Sequence, residues 1–282
     1  MKMEDPALLR SNLINDGYCV ADDILGTAML DRLRQAVRDS LATKELSNED
    51  NFGSLIHCEF ENPVFADLIA WPQSFQLLEA MGFTDVRWMS FFLINKPPHS
   101  KALWWHQDWF LWDHPVSAEP TPTQVFLSYY LEDTSEDFGC LRVIPGTNRR
   151  RHEIHDRLLN HGDVGNSLPE DHWMLEDVPG AVNVPVKAGS LAIADSRLLH
   201  GARANQTDRH RPLLLGWYLL NFGQLPQEVR QTYSLTFGKH DFKPPRWWKD
   251  AAGDNVKPLV VNPPTEGEAL KSNREPGQHL AR

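Results

Sequence analysis

Cysteine is scarce in this 282-residue chain. Cys19, Cys58 and Cys140 stand far apart with no CxxC among them, which excludes a disulfide framework and suits a reducing compartment. Positive charge is also in deficit, 28 Lys+Arg against 38 Asp+Glu for a formal net charge of -10. That balance argues against nucleic-acid or anionic-membrane partners, because phosphates require a cationic face. Long apolar runs are missing too. No stretch approaches the roughly 18 residues of a membrane helix, and the opening MKMEDPALLRSNLINDG places acidic residues and Asn where a signal peptide needs an apolar segment. A cytoplasmic protein is expected. The hydrophobic fraction of 41% excludes wholesale disorder, and the 10 tryptophans, several close together, stand out.

No internal repeat is found, and one domain over 1–282 is the simplest organisation. Residues 1–85 read as mainly helical. Asp5-Pro6 is a cap followed by a first-turn proline, with Leu8, Leu9, Leu13 and Ile14 at helical spacing. A second helix is expected from about Gly26 to Leu41, with Met29, Leu30, Leu33, Val37 and Leu41 on one stripe, and two short helices over 62–82. From Val86 the character changes to short apolar runs between turn residues: 86–95, 124–131, 139–144, 182–186, 190–195 and 212–220. Such runs predict antiparallel strands in a sandwich or barrel over 86–222. Residues 152–180 read as a polar insertion. Residues 223–282 form a C-terminal extension, loosely packed beyond about 250.

Two His-x-Asp patterns occur, His106-Gln107-Asp108 and His161-Gly162-Asp163. On a strand, residues i and i+2 face the same way, so such a pair can occupy adjacent positions on a metal. A third ligand then completes the facial triad of non-haem Fe(II) oxygenases. His161 lies in a Gly/Asn-rich run with no strand character and reads as loop. His106 lies among Trp and Phe in KALWWHQDWFLWDHP, where a rigid, water-excluding element is expected. The third ligand is expected to be His200, at the end of the apolar segment 189–200. After a turn, Arg211 opens the next apolar strand, and the two segments read as a hairpin. An arginine there could grip a carboxylate bidentately while remaining charged.

These residues fall in an order that resembles the phytanoyl-CoA dioxygenase superfamily. The blocks are Leu93-Ile-Asn-Lys-Pro-Pro98, Trp105-His-Gln-Asp108, Phe138-Gly-Cys-Leu-Arg-Val-Ile-Pro-Gly-Thr147, and His200-Gly201 with Arg211. The likeness runs from Asp16-Gly17-Tyr18 to about Phe222. It implies a mainly β fold, a double-stranded β-helix (jelly-roll, cupin-like) core with N-terminal and flanking α-helices. It also implies Fe(II) held by His106, Asp108 and His200, with 2-oxoglutarate as cosubstrate. The eleven-residue step from the distal His selects Arg211, over Arg203 and Arg209, for the far carboxylate of that cosubstrate.

The resemblance further implies that Asn95 and Trp112 line the cosubstrate pocket, and that Ser128 replaces a Trp found in one branch, altering the wall near the iron. Ala202 departs from the Ser or Thr common two residues after the distal His. Related halogenases lack the carboxylate that Asp108 supplies, so hydroxylation or desaturation is expected, with 2-oxoglutarate converted to succinate and CO2. Trp105 and Trp109 are candidate substrate walls, with Trp104, Phe110 and Trp112 near them, although clustered tryptophans also serve as core. Arg203, Lys96, His114 and Arg142 are candidates for charged recognition. The expected partners are O2, 2-oxoglutarate and a small-molecule substrate, which the sequence does not identify. The competing reading is a non-oxidative metal-binding jelly roll or a pseudoenzyme.

Overall fold

The computed structural model describes residues 5–43, 54–159, 168–169, 171–237, 245–248, 268–275 and 280. Helix α1 (Pro6–Asn15) begins where the sequence predicts. The Asp5 carboxylate accepts from the Ala7 amide at 3.0 Å, and Pro6 occupies the first turn. Leu9 and Leu13 are its buried residues. Strand β1 (Tyr18–Ala21) follows, then α2 (Thr27–Thr43), which buries Met29, Leu30, Leu33, Ala36 and Val37. Strand β2 (Ser54–His57), α3 (Pro63–Ile69) and α4 (Pro72–Ala80) complete the N-terminal part. Asn62 caps α3 through the Val64 amide.

The remaining strands are β3 (Arg87–Lys96), β4 (Leu103–His106), β5 (Gln124–Tyr130), β6 (Leu141–Val143), β7 (Val182–Val184), β8 (Leu191–Asp195), β9 (His200–Ala202) and β10 (Arg211–Leu219). Helix α5 (Gln227–Phe237) follows them. The strands form a six-stranded sheet ordered β1-β8-β5-β10-β3-β2 and a four-stranded sheet ordered β4-β9-β6-β7. All the pairings are antiparallel. This is the expected jelly-roll core with flanking helices.

The long sheet is buried on both faces, which explains its near-continuous apolar runs. On one face Phe91, Leu93, Val125, Leu127, Tyr129, Leu191, Ile193 and Leu214 pack with the N-terminal helices. On the other, Phe126, Tyr130, Ala192, Ala194, Leu213 and Leu215 meet Leu141, Val143 and Val184 of the short sheet. The period-2 alternation therefore sends Arg211, Leu213, Leu215 and Trp217 toward the interior between the sheets.

The structure departs from the sequence reading in several places. The segments 189–200 and 211–219 do not form a hairpin. Strand β8 stops at Asp195, the chain turns through Ser196 and Arg197, and His200 joins the other sheet on β9, while β10 pairs with β3 and β5. Asp195 drives that turn, because its carboxylate accepts from the backbone and guanidinium of Arg197 in a buried pair. Part of the C-terminal extension is well packed. Asn273 pairs with Leu111, its amide donating to the Phe110 carbonyl at 2.7 Å, and Leu270 and Leu280 join a core with α5. Among the described residues no helix is long and apolar enough to cross a membrane.

Candidate metal centre and cosubstrate pocket

His106 ends β4 and stands directly opposite His200 of β9 in the strand register. Cross-strand neighbours bring side chains within reach, and the two imidazole centroids are 4.2 Å apart. Asp108 lies just past the strand end rather than on it. Its amide and that of Trp109 both donate to the Ser196 carbonyl at 2.9 Å, which pins the loop against the β8–β9 turn. The carboxylate then sits between the two rings. Oδ1 is 3.8 Å from His106 Nε2 and Oδ2 is 3.9 Å from His200 Nε2. Those separations exceed hydrogen-bond length and suit donors that share an ion. The His106, Asp108 and His200 ligand atoms all lie within 4.8 Å of one another.

The tautomers are set by the backbone. His106 Nδ1 lies 2.9 Å from the Trp104 carbonyl, and His200 Nδ1 lies 3.0 Å from the Leu198 carbonyl. A carbonyl only accepts, so Nδ1 carries the hydrogen in each neutral ring and Nε2 presents its lone pair toward Asp108. Burial, reinforced by the neighbouring His200, pushes the His106 pKa down to about 4, with Asp108 opposing. The ring is thus neutral near pH 7, as ligation requires. Asp108 is held in turn by Trp217, whose indole N–H donates to Oδ2 at 2.8 Å. Phe126 packs on His200 with ring centroids 4.7 Å apart.

Gly201 explains how the two histidines come so close. A Cβ at this position would lie 2.7 Å from the Leu103 carbonyl oxygen and 3.1 Å from that of Trp104. Only glycine lets β9 approach β4 this closely.

Arg211 opens β10 and is buried. Burial pulls its pKa down, and it forms no ion pair among the described residues. Its Nε and one terminal nitrogen have no hydrogen-bond partner, an exception that requires an explanation in a close-packed interior. Lys96, opposite it in the β3 register, is also buried and donates to the Lys101 carbonyl at 2.6 Å. The strand ends carrying these cations are tied together by Asn205, whose amide nitrogen donates to the Pro97 carbonyl at 2.9 Å and the Arg209 carbonyl at 2.7 Å.

Other expected residues fall elsewhere. Asn95 alternates away from Lys96, is buried, and its side chain meets His210 at 3.1 Å, so it lies on the sheet face opposite to that of Lys96 and Arg211. Trp105 points opposite to His106, buried beneath Arg142 and donating to the Glu176 carbonyl. Trp109 and Trp112 are core residues of the cluster formed with α5 and the C-terminal segment, and Trp109 donates to Ser117 Oγ at 2.8 Å. All three tryptophans are core, not pocket wall. Arg203 is paired with Asp177 at 2.6 Å. Arg142 is buried against the carbonyls of Leu103, Met174, Leu175 and Glu176. His114 lies 3.3 Å from Glu228. Ser128 is buried on the interior face of β5, between Leu215 and Ala192. His161 and Asp163 lie outside the described residues.

Two residues beside the triad carry no motif. Trp217 follows Arg211 by six positions on the same strand, so strand alternation alone places both on one face. Arg274 has no local signal at all. It approaches across 166 residues of chain, its guanidinium 3.4 Å from the Asp108 carbonyl, while its own carbonyl accepts from the Gln107 side chain at 2.9 Å. A cleft of about 180 Å³ opens here, lined by Ser90, Asp108, Gln124, Trp217, Phe237 and Arg274 among others.

Comparisons with known proteins give the family and the fold. A protein of Stutzerimonas stutzeri named "Probable alpha-ketoglutarate-dependent hypophosphite dioxygenase" is 29% identical over 137 residues, which is 45% of this chain and 46% of that protein. This chain therefore spans less than half of that relative. The ectoine dioxygenase of Nocardia farcinica is 24% identical over 216 residues, covering 70% of this chain and 72% of that one. The crystal structure of EctD from S. alaskensis with 2-oxoglutarate and 5-hydroxyectoine shares the fold. It aligns with a TM-score of 0.56 and 21% identity over 91% of this chain and 90% of that one. The family model for phytanoyl-CoA dioxygenase matches residues 14–213, from the end of α1 into β10, and on that match the chain belongs to the phytanoyl-CoA dioxygenase family.

Proposed function

We propose that this chain is a non-haem Fe(II)- and 2-oxoglutarate-dependent dioxygenase that hydroxylates or desaturates a small-molecule metabolite. His106, Asp108 and His200 would hold the iron, and Arg211 would receive the far carboxylate of 2-oxoglutarate. When bound, iron with 2-oxoglutarate and O2 supplies the oxidation of an unactivated C–H bond, with succinate and CO2 as coproducts.

The residues of the chain position and shield. Backbone carbonyls keep both Nδ1 hydrogens in place, so Nε2 is the atom presented for ligation. Trp217 orients one oxygen of Asp108, and Phe126 covers one side of His200. Ser128, with Leu215 and Ala192 beside it, contributes a small wall within the same interior.

The observation that carries this reading is the buried guanidinium of Arg211 with unpartnered nitrogens, on the interior face that also bears Trp217 and hence Asp108. A jelly roll that only bound metal would bear the cost of that cation, about 1–3 kcal/mol per unsatisfied group, without return. A dicarboxylate that ligates the metal at one end satisfies it at the other. The names of the relatives support small polar substrates, since ectoine and hypophosphite are both small.

The test is anaerobic addition of Fe(II) and then 2-oxoglutarate, followed by absorption in the visible. A weak charge-transfer band that saturates with 2-oxoglutarate is the expected result. Iron binding without any band would favour the non-oxidative metal-binding reading.

A further inference from the structure

We propose that Arg274, delivered by the C-terminal segment, is the substrate-recognising cation, and that the substrate carries a small oxyanion group, carboxylate or phosphonate. The proposal rests on the oxygenase reading above and names the substrate class of that same site.

Arg274 lines two clefts that flank the triad. One contains Asp108, Trp217 and Gln124, and the other His106, Gln107 and His155. Its side chain therefore borders the cleft that reaches Asp108 and the cleft that reaches His106. Its backbone is fixed rather than draped. The Asn273 amide donates to Phe110 and its carbonyl accepts from Trp112, its side chain reaches Asp113, and the Arg274 carbonyl holds Gln107. The segment is thus tied to the very loop that carries Asp108, which gives the guanidinium a defined place relative to the ligands.

The charge on Arg274 is available. It donates to the Asp108 carbonyl at 3.4 Å, a long contact, and it has no carboxylate partner among the described residues. Arg211, unpartnered as well, lies on the interior face of β10, whereas four other arginines around the core are engaged. Arg197 pairs with Asp195, Arg203 pairs with Asp177, Arg142 is enclosed by carbonyls, and Arg209 stacks on Phe138 at 4.4 Å. In a chain of net charge -10, a half-buried guanidinium without a counter-ion at the mouth of a metal site selects for an anion. A planar fork matches two oxygens of a carboxylate or phosphonate.

The test uses the full-length protein with Fe(II) and 2-oxoglutarate, held anaerobic so that no turnover is needed. Matched pairs are titrated in, and perturbation of the charge-transfer band is read. The probes are L-proline and L-prolinamide, 4-aminobutyrate and 4-aminobutyramide, and 2-aminoethylphosphonate and its diethyl ester. The wild type is expected to respond to acids and not to their neutral partners, with the carboxylate and phosphonate arms showing which oxyanion is preferred. Arg274→Gln should weaken that response about 10- to 100-fold, the scale of a lost charge-assisted hydrogen bond, and Arg274→Lys should fall between. The 2-oxoglutarate titration and thermal midpoint should be unchanged in both variants, because the segment is held by its backbone and by Asn273. Equal responses to acid and amide, no response to any acid, or equal affinity in Arg274→Gln would overturn the proposal. If the wild type forms no band at all, the oxygenase reading falls first and the proposal with it.

Discussion

The indole N–H of Trp217 donates to Asp108 Oδ2 at 2.8 Å, joining residues 109 apart in sequence. It fixes the oxygen that faces His200 and leaves Oδ1 toward His106. Partners of this kind typically contribute 10–100-fold to metal affinity. Trp217→Phe preserves much of the ring and removes the donor. It should weaken Fe(II) binding about tenfold, measured by competition with a chelating dye, while the far-ultraviolet circular dichroism stays as in the wild type.

Gly201 sits where a Cβ would strike the Leu103 carbonyl at 2.7 Å. Gly201→Ala must push β9 away from β4, separating His106 from His200. Overpacking of this kind costs about 1–3 kcal/mol. A lowered denaturation midpoint together with weaker metal binding is expected, and a variant that melts like the wild type and binds iron normally would show that the strands have slack.

Single replacement of His106, Asp108 or His200 by Ala should abolish turnover and sharply weaken metal binding with the fold retained, as measured by titration with Co(II) and by thermal melting. A variant that keeps more than about a tenth of wild-type affinity removes that residue from the ligand set, a loss well below the 3–5 kcal/mol typical of breaking a buried charged site. Replacing His161 or Asp163 should leave the Co(II) spectrum unchanged.

Much of this site was legible because it follows local rules. His106 and Asp108 lie two residues apart at a strand end, and the strand runs of the core were bounded by turn residues at 86–95, 124–131 and 212–220. Legibility ended where contacts are long-range or two-sided. Trp105 and Trp109 left both core and pocket open in sequence, with core the commoner use of clustered tryptophans, and the orientation of β4 and the packing of α5 make them core. Asn95 was carried by a motif, yet strand alternation turns it to the opposite face of the sheet, where it is buried against His210. His200 looked like the end of one strand because Leu198 and Leu199 continue the apolar run. The Asp195–Arg197 pair that breaks the strand is visible only once the buried geometry is known. Arg274 was hidden in a polar tail whose attachment depends on backbone hydrogen bonds from Asn273.

The proposed role of Arg211, receiving a dicarboxylate beside His106, Asp108 and His200, is tested most directly by titration of the anaerobic Fe(II) protein with 2-oxoglutarate. Wild type, Arg211→Lys and Arg211→Ala are compared by the visible charge-transfer band. Leaving the remote carboxylate buried and unpaired costs about 3–5 kcal/mol, so Arg211→Ala should lose on the order of a hundredfold to several thousandfold in affinity. Arg211→Lys should fall between, since an ammonium keeps the charge without the planar fork. Iron binding should survive in both, because Arg211 is not a ligand. Equal 2-oxoglutarate affinity in all three proteins would contradict the account.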